Sequence, residues 1–304
     1  MAKVRDIQAA RLMKKSFVLK KVKLVVSIVF IITGLVMGAI PVLGPILTQR
    51  HHDKVIQNYK NEIASMSQEE ISYAKGEVKK YNETGKSNYY AAIDAGQVIS
   101  YIEIPSIDVY LPIFKGTSDK TLERGIGLLE ETSFPIGGKG THCVLSGHSG
   151  LLTQKMFSNL KDMETGDRFY LHTYDETLCY KVYKTVVVNP DEVSDYIQFD
   201  TEHDYCTLLT CTPIGVNTHR LLVMGERVEI EEDNISPTQE ITEKTTDNIQ
   251  TLNQKITPKN EDNANSDNTY RIEFIICVAI SCLLEILGVA LCIFAIKDIK
   301  RVDI

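Results

Sequence analysis

Two apolar runs bracket a middle section in which hydrophobic positions recur with helical and then strand periods. Leu24 to Gln49 reads LVVSIVFIITGLVMGAIPVLGPILTQ, 26 residues without a charge. That length crosses a hydrocarbon core of roughly 30 Å as a helix. Phe274 to Ile296 is a second run of 23, broken only by Glu285. Between them, Val55, Ile56, Tyr59 and Ile63 fall on one helical face, and residues 52–82 are predicted helical. Ser67 followed by Glu70 forms a capping box that starts a second helix through Ile71, Ala74, Val78 and Tyr81. NETGKSNYY at 82–90 is predicted as a turn or loop.

From about Val98 the period shortens. VISYIEIP, DVYLPIF, THCVLSG, DRFYLHTY, TLCYKVYKTVVV, YCTLLTC and HRLLVMGERVEI are short, rich in β-branched and aromatic residues, and several are separated by Gly, Pro, Asn or Asp. This spacing predicts a mainly β domain over 98–230, a closed or nearly closed β-barrel. Only 153–161 and 191–197 within it look helical, and both are short. Residues 231–270 hold nine acidic residues and three lysines, with few aliphatics. Such a segment cannot bury a core and is predicted to be a flexible tether.

Charge orders these pieces across a membrane. Lys3, Arg5, Arg11, Lys14, Lys15, Lys20, Lys21 and Lys23 precede the first apolar run, and Lys297, Lys300 and Arg301 follow the second. Positive flanks stay in the cytoplasm. The predicted order is a basic cytoplasmic tail (1–23), a transmembrane helix (24–49), a helical stalk with the segment before the barrel (50–97), the barrel (98–230), the acidic tether (231–271), a second transmembrane helix (272–296) and a cytoplasmic tail (297–304). Residues 50–271 then face outward. A cleaved signal peptide is the other reading of the first run, and it exports the middle equally. Glu285 inside hydrocarbon is read as a protonated carboxyl, with a helix or partner contact as the alternative. The chain's net charge of −7 gives a nucleic-acid partner no global support.

Seven cysteines narrow the chemistry. Cys277, Cys282 and Cys292 lie in the second apolar run, and Cys143, Cys179, Cys206 and Cys211 in the exported part. No C-x-x-C pair occurs, so structural zinc is not expected. Cys211 ends an apolar strand, Pro213 stops the ladder, and Arg220 opens the next strand after a short connection. A core cysteine beside a surface arginine is one reading, and a nucleophile with a cationic partner is the other. A nucleophile needs a base. Of seven histidines, His148 stands apart, at the end of a strand between two glycines in LSGHSG. Ser149 beside it lacks the spacing of a nucleophile elbow.

Taken together, Thr207-Leu208-Leu209-Thr210-Cys211, Ser146-Gly147-His148 and Arg220 resemble the T-L-x-T-C signature, histidine segment and arginine of the sortases, membrane-anchored cysteine transpeptidases of Gram-positive bacteria. TCTPIGVNTHRLLV, YIEIPSIDVYLPIFKGT and the second apolar run look most like class C, the pilin-polymerising sortases. The resemblance covers about residues 98–230 and implies a sortase-type barrel. It also implies that Cys211 attacks the Thr–Gly carbonyl of an LPXTG-like sorting signal. His148 would exchange protons with the leaving and incoming amines, and Arg220 would donate to substrate backbone or oxyanion. Thr210 would assist substrate binding through its backbone or hydroxyl.

The implied partners are pilins or surface proteins with a C-terminal sorting signal, and an acceptor amine from a pilin lysine or a peptidoglycan precursor. No cofactor or metal is expected. The acidic residues Asp191, Glu192, Asp195, Asp200, Glu202 and Asp204 read as a solvated loop rather than a calcium site. Class C enzymes commonly carry a lid with an Asp-Pro-aromatic motif, whereas 82–97 has no proline and its Asp94 precedes Ala95. A firm lid is therefore not expected, and Tyr89 and Tyr90 are the side chains available to cover the cleft. Anchoring of surface proteins to the cell wall and a non-catalytic scaffold are the alternative functions.

Overall fold

The computed structural model describes residues 2–151, 153–230, 276, 278–291 and 293–294. The chain divides into two compact units. One holds the residues up to Thr48, residues 153–154 and the apolar helix near the C-terminus; the other begins at Gln49 and holds the barrel. The predicted tether and the C-terminal tail lie outside the described residues.

The first helix, α1, runs unbroken from Ala2 to Ser65, so tail, apolar run and the first part of the stalk are one element. Pro41 and Pro45 sit inside it. Lys21–Ser65 is long and apolar enough to cross a membrane. Of the second apolar run, the structure describes a helix over Val278–Leu291. Ile276, Ile293 and Phe294 are helical as well, and the remainder of that run lies outside the described residues. Within this unit the two helices pack through small residues. Ser27 Oγ donates to the Gly288 carbonyl at 2.8 Å, and Ser281 Oγ donates to the Gly34 carbonyl.

The stalk's second helix, α2 (Gln68–Thr84), starts at the predicted capping box. Ser67 N donates to Glu70 Oε2 at 2.7 Å, and Glu70 N to Ser67 Oγ at 3.2 Å. Ile71, Ala74 and Val78 are its buried face. The expected loop at 82–90 is largely helical instead. α2 continues to Thr84, and a short α3 (Asn88–Ala92) follows, capped by Ser87 Oγ.

All seven predicted strands form, and an eighth joins them. They are β1 (Val98–Ile104), β2 (Val109–Lys115), β3 (Ile126–Leu128), β4 (Thr141–Ser146), β5 (Arg168–Thr173), β6 (Glu176–Val188), β7 (Asp204–Thr212) and β8 (His219–Val228). They close in the order β1-β2-β3-β4-β7-β8-β6-β5. Period-2 alternation fills the interior with Ile102, Ile113, Cys143, Leu145, Phe169, Leu171, Tyr180, Cys206, Leu208 and Val223. A second, smaller cluster lies on the other face of β4, β7 and β8. There Val144, Leu209, Leu222 and Met224 pack with Val188, Val193, Tyr196 and Ile197. The 3₁₀ segment Pro190–Tyr196 supplies part of this cover, close to the helix expected at 191–197. The helix expected at 153–161 is absent; a single 3₁₀ turn, Leu160–Asp162, stands near its end.

The C-terminal part of α1 lies along β1 and β5. Tyr59 Oη donates to the Ile99 carbonyl at 3.1 Å and accepts from Tyr174 N at 2.9 Å. Lys60 sits over the Tyr101 ring, and His172 stacks on the same ring at 4.3 Å. Burial, with the Lys60 cation second, lowers the His172 pKa to about 4. Glu103 Oε2, 3.4 Å from Nε2, does not offset this. A histidine held neutral in the fold is protonated first in the unfolded chain. Stability from His172 is therefore whole above about pH 6.5, falls as pH drops toward 4, and levels off below. The expected loss is on the order of 2 kcal/mol. Urea midpoints measured at pH 7 and pH 4.5 should differ less in His172→Gln than in the parent chain; an equal difference would contradict this account.

Candidate active site

The topology gives the barrel two poles. β4 and β7 run parallel, with Ser146 opposite Leu209. β8 runs antiparallel to β7, with Cys211 opposite Arg220. β6 continues the row, with Val188 opposite Arg220. At the pole where β4 and β7 end, three neighbouring strands therefore carry the histidine segment, the cysteine and the arginine side by side. Neighbouring strands lie about 4.8 Å apart.

Parity places Cys211 and Arg220 on one face. Cys206 and Leu208 point into the barrel, so Leu209 and Cys211 point out of it. Leu221 and Val223 point in, and Arg220 and Leu222 point out. On β4, Cys143 and Leu145 are interior and Val144 exterior, so Ser146 lies on the outer face, and the His148 turn follows it. Cys206 is fully enclosed, and burial raises its thiol pKa, with a hydrogen bond to Cys143 adding to the effect. Cys211, His148 and Arg220 are half-buried. Of the cysteines in the barrel, Cys211 alone pairs accessibility with a neighbouring arginine and histidine.

Beyond β4, hydrogen bonds rather than a ladder hold the His148 turn beside β7. Gly147 N donates to the Leu209 carbonyl at 3.0 Å, and Thr210 Oγ1 donates to the Gly147 carbonyl at 2.7 Å. Ser149 Oγ donates to the Cys211 carbonyl at 2.7 Å. Phe157 N donates to the His148 carbonyl at 3.0 Å. Gly147 permits this closeness. A Cβ there would lie 2.6 Å from Ile126 Cδ1 and 2.8 Å from Phe157 Cδ2.

Thr210 is thus placed differently from the other candidates. It is 3% exposed, and its hydroxyl is committed to Gly147 rather than open to a substrate. Arg220 Nη1 donates to the carbonyls of Asn217 and His219 at 3.1 and 3.0 Å, which folds the guanidinium over the β7–β8 connection. Thr207, on the outer face, contacts His142 Nε2 at 2.8 Å; the ring's Nδ1 lies 2.9 Å from the Gln198 carbonyl. A carbonyl only accepts, so Nδ1 carries the proton, and burial keeps the ring neutral by lowering its pKa.

Three of the loop carboxylates are engaged by protein groups. Glu192 caps Asn189 N, Asp200 accepts from Glu202 N, and Glu202 pairs with Lys139. Asp204 is not on a solvated loop: it is buried in β7 and accepts from Tyr180 Oη, Thr141 Oγ1 and Gly138 N. Asp204 and the residues of segment 82–97 share the opposite pole. Tyr90 stacks on Tyr81 at 3.7 Å and meets Phe134 edge-on, while Lys115 Nζ donates to the carbonyls of Tyr90 and Ile93. Tyr89 Oη lies 3.4 Å from Tyr174 Oη. Lys115 and Tyr174 belong to strand ends remote from Cys211, so Tyr89 and Tyr90 do not cover the cysteine. Sequence reasoning did not anticipate the ties made by Ser149, Thr207 and His142; small polar residues and a strand histidine carry no periodic signal.

Comparison with known proteins agrees with this geometry. Residues 102–228 match the sortase domain family. Sortase C of Clostridium perfringens, in a structure with the C-terminal cell wall sorting motif, is 43% identical with a TM-score of 0.55, covering 58% of this chain and 99% of that one. Sortase C of Streptococcus pneumoniae is 38% identical with a TM-score of 0.55, covering 58% and 97%. Sortase A of Bacillus anthracis is 32% identical over 138 residues, 45% of this chain and 63% of its own length. With its barrel, its cysteine strand and these relatives in agreement, the chain belongs to the sortase family and is a cysteine transpeptidase whose structural neighbours are class C enzymes.

Proposed function

We propose that the chain is a pilin-polymerising sortase that works through Cys211, His148 and Arg220. The observation that carries this reading is the row formed by β4, β7 and β8, with Cys211 between the His148 turn and Arg220. Cys211 as thiolate attacks the threonine carbonyl carbon of an LPXTG-like signal. Arg220 donates hydrogen bonds to the oxyanion or to the adjoining peptide. The tetrahedral species collapses, the Thr–Gly bond breaks, and His148 gives its proton to the departing glycine amine. The acyl thioester then accepts a lysine amine. His148 takes the amine's proton, a new amide forms, and the thiolate leaves.

The identity of the acceptor separates two readings. Similarity to the sortase C structures supports a pilin lysine. Similarity to a sortase A supports a second reading, attachment of surface proteins to a peptidoglycan precursor. Mass spectrometry of the covalent product distinguishes them by the amine found in the new bond. Under either reading Cys211→Ala should abolish product, by a factor of at least about 10³, while leaving the far-UV dichroism of the barrel intact. Product from Cys211→Ala, with Cys206→Ala inactive, would overturn the assignment.

The same proposal places the barrel outside the cell and both termini inside. The basic residues flanking both apolar runs and the Ser27–Gly288 and Ser281–Gly34 contacts support a pair of membrane helices. Protease added to intact protoplasts should remove the barrel. Protection of the barrel with cutting in the lysine-rich tails would reverse the topology.

A further inference from the structure

We propose that Ser149 is a positioning residue, whose hydroxyl sets the spacing between the His148 imidazole and the Cys211 thiol. The inference rests on the catalytic roles given above to those two residues. His148 and Cys211 come from separate segments, and the β4–β7 ladder stops at Ser146 and Leu209, two residues short of both. Over those residues Cys211 is still paired with β8, whereas the histidine turn is aligned with it by a set of loop bonds. Gly147 is tied to Leu209 and Thr210, behind the cysteine. Ser149 Oγ reaches the cysteine itself, donating to its carbonyl at 2.7 Å. The Gly147 backbone and the Ser149 hydroxyl, on either side of the histidine, thereby join its turn to β7 as far as the nucleophile's own carbonyl.

The residue after Ser149 locks the same clasp. Gly150 has φ +77°, in the region that favours glycine, and its N–H donates to Ser158 Oγ at 2.9 Å. A Cβ on Gly150 would overlap the Cγ2 methyl of Ile214, in the connection that follows Cys211. Ile214 is buried there. The turn after the histidine and the loop after the cysteine therefore meet twice, once through a hydroxyl and once through a glycine–methyl contact. Removing the hydroxyl leaves the Gly147 bonds and the Gly150 packing in place, so the barrel keeps its fold while the histidine turn loses its direct tie to the nucleophile.

Two consequences separate positioning from structural support. Misplacement of reacting groups lowers turnover more than ground-state binding. The histidine turn also borders the cysteine, through the Ser149 hydroxyl on its carbonyl, so a looser turn opens the thiol to a small reagent. Ser149→Ala should lower kcat for a fluorogenic LPXTG-type peptide about tenfold or more, with KM held within about twofold. The rate of Cys211 alkylation by iodoacetamide at one fixed pH, followed by mass spectrometry of its peptide, should rise about twofold or more. Ser149→Thr, which keeps the hydroxyl, should restore both. An unchanged kcat and alkylation rate in Ser149→Ala would overturn the proposal, as would a loss of turnover that follows only a fall in the urea midpoint. The alkylation measurement needs no substrate, so it tests the Ser149 proposal even if the peptide is not turned over. Activity surviving in Cys211→Ala would instead defeat the catalytic reading.

Discussion

The register of β7 between β4 and β8 is the constraint on which the rest of the molecule depends. Strand pairing has a period of two, so a slip of one residue exchanges the two faces of a strand. On β7 that exchange would send Cys211 inward and Cys206 outward. Packing on both faces opposes it. Cys206 and Leu208 fill the barrel with Cys143, Leu145 and Val223, while Leu209 is clamped outside by Val144, Leu222 and Met224. A strand buried on one face alone would resist slipping through half of these contacts. The outer cluster thus does more than cover apolar surface; it keeps Cys211 on the outer face, opposite Arg220.

The threonines of TLLTC contribute to the same constraint from opposite faces. Thr207 points outward and joins His142, which in turn holds the Gln198 carbonyl ahead of β7. Thr210 points inward and holds the Gly147 carbonyl of the histidine turn. Both hydroxyls are buried, and both are satisfied. A buried hydroxyl without a partner would cost about 1–3 kcal/mol, so each is stable only where its neighbour strand is in register. The motif is a description of strand pairing as much as of chemistry.

Much of this was legible in the sequence because it follows from period and from turn chemistry. The alternation in seven segments gave seven strands, and Ser67 with Glu70 marked the start of α2 at its observed place. Cys211, Pro213 and Arg220 implied two strands and a short connection, and the two residues are indeed paired. β3 escaped because Ile126, Gly127 and Leu128 are three residues buried on every side, too few to show a period. The segment 153–161 misled for the opposite reason. Its apolar residues Met156, Phe157 and Leu160 have helical spacing, yet all three are core side chains held by loop contacts. The location of Tyr89 and Tyr90 was illegible too, since nothing local says at which pole of a barrel a preceding segment will dock.

That docking gives the two poles different physical characters. At the pole remote from Cys211, aromatic stacking among Tyr81, Tyr90, Phe134 and Tyr174 is joined to a buried network around Asp204 and Tyr180. Burial raises the Asp204 pKa, and three donors pull it back, so the carboxylate is tolerable only while all three stay in place. Such a network is costly to open in part, and it rigidifies the starts of β4 and β7. At the other pole the strands end in glycine-rich turns joined by single hydrogen bonds and one methyl contact. The rigid pole sets where β4 and β7 begin, and their parallel pairing carries that placement along six residue pairs to the ends where His148 and Cys211 leave the ladder. Precision at the reacting end is thus inherited from packing at the far end; beyond it Cys211 keeps its pairing with β8, and only the histidine turn depends on local ties.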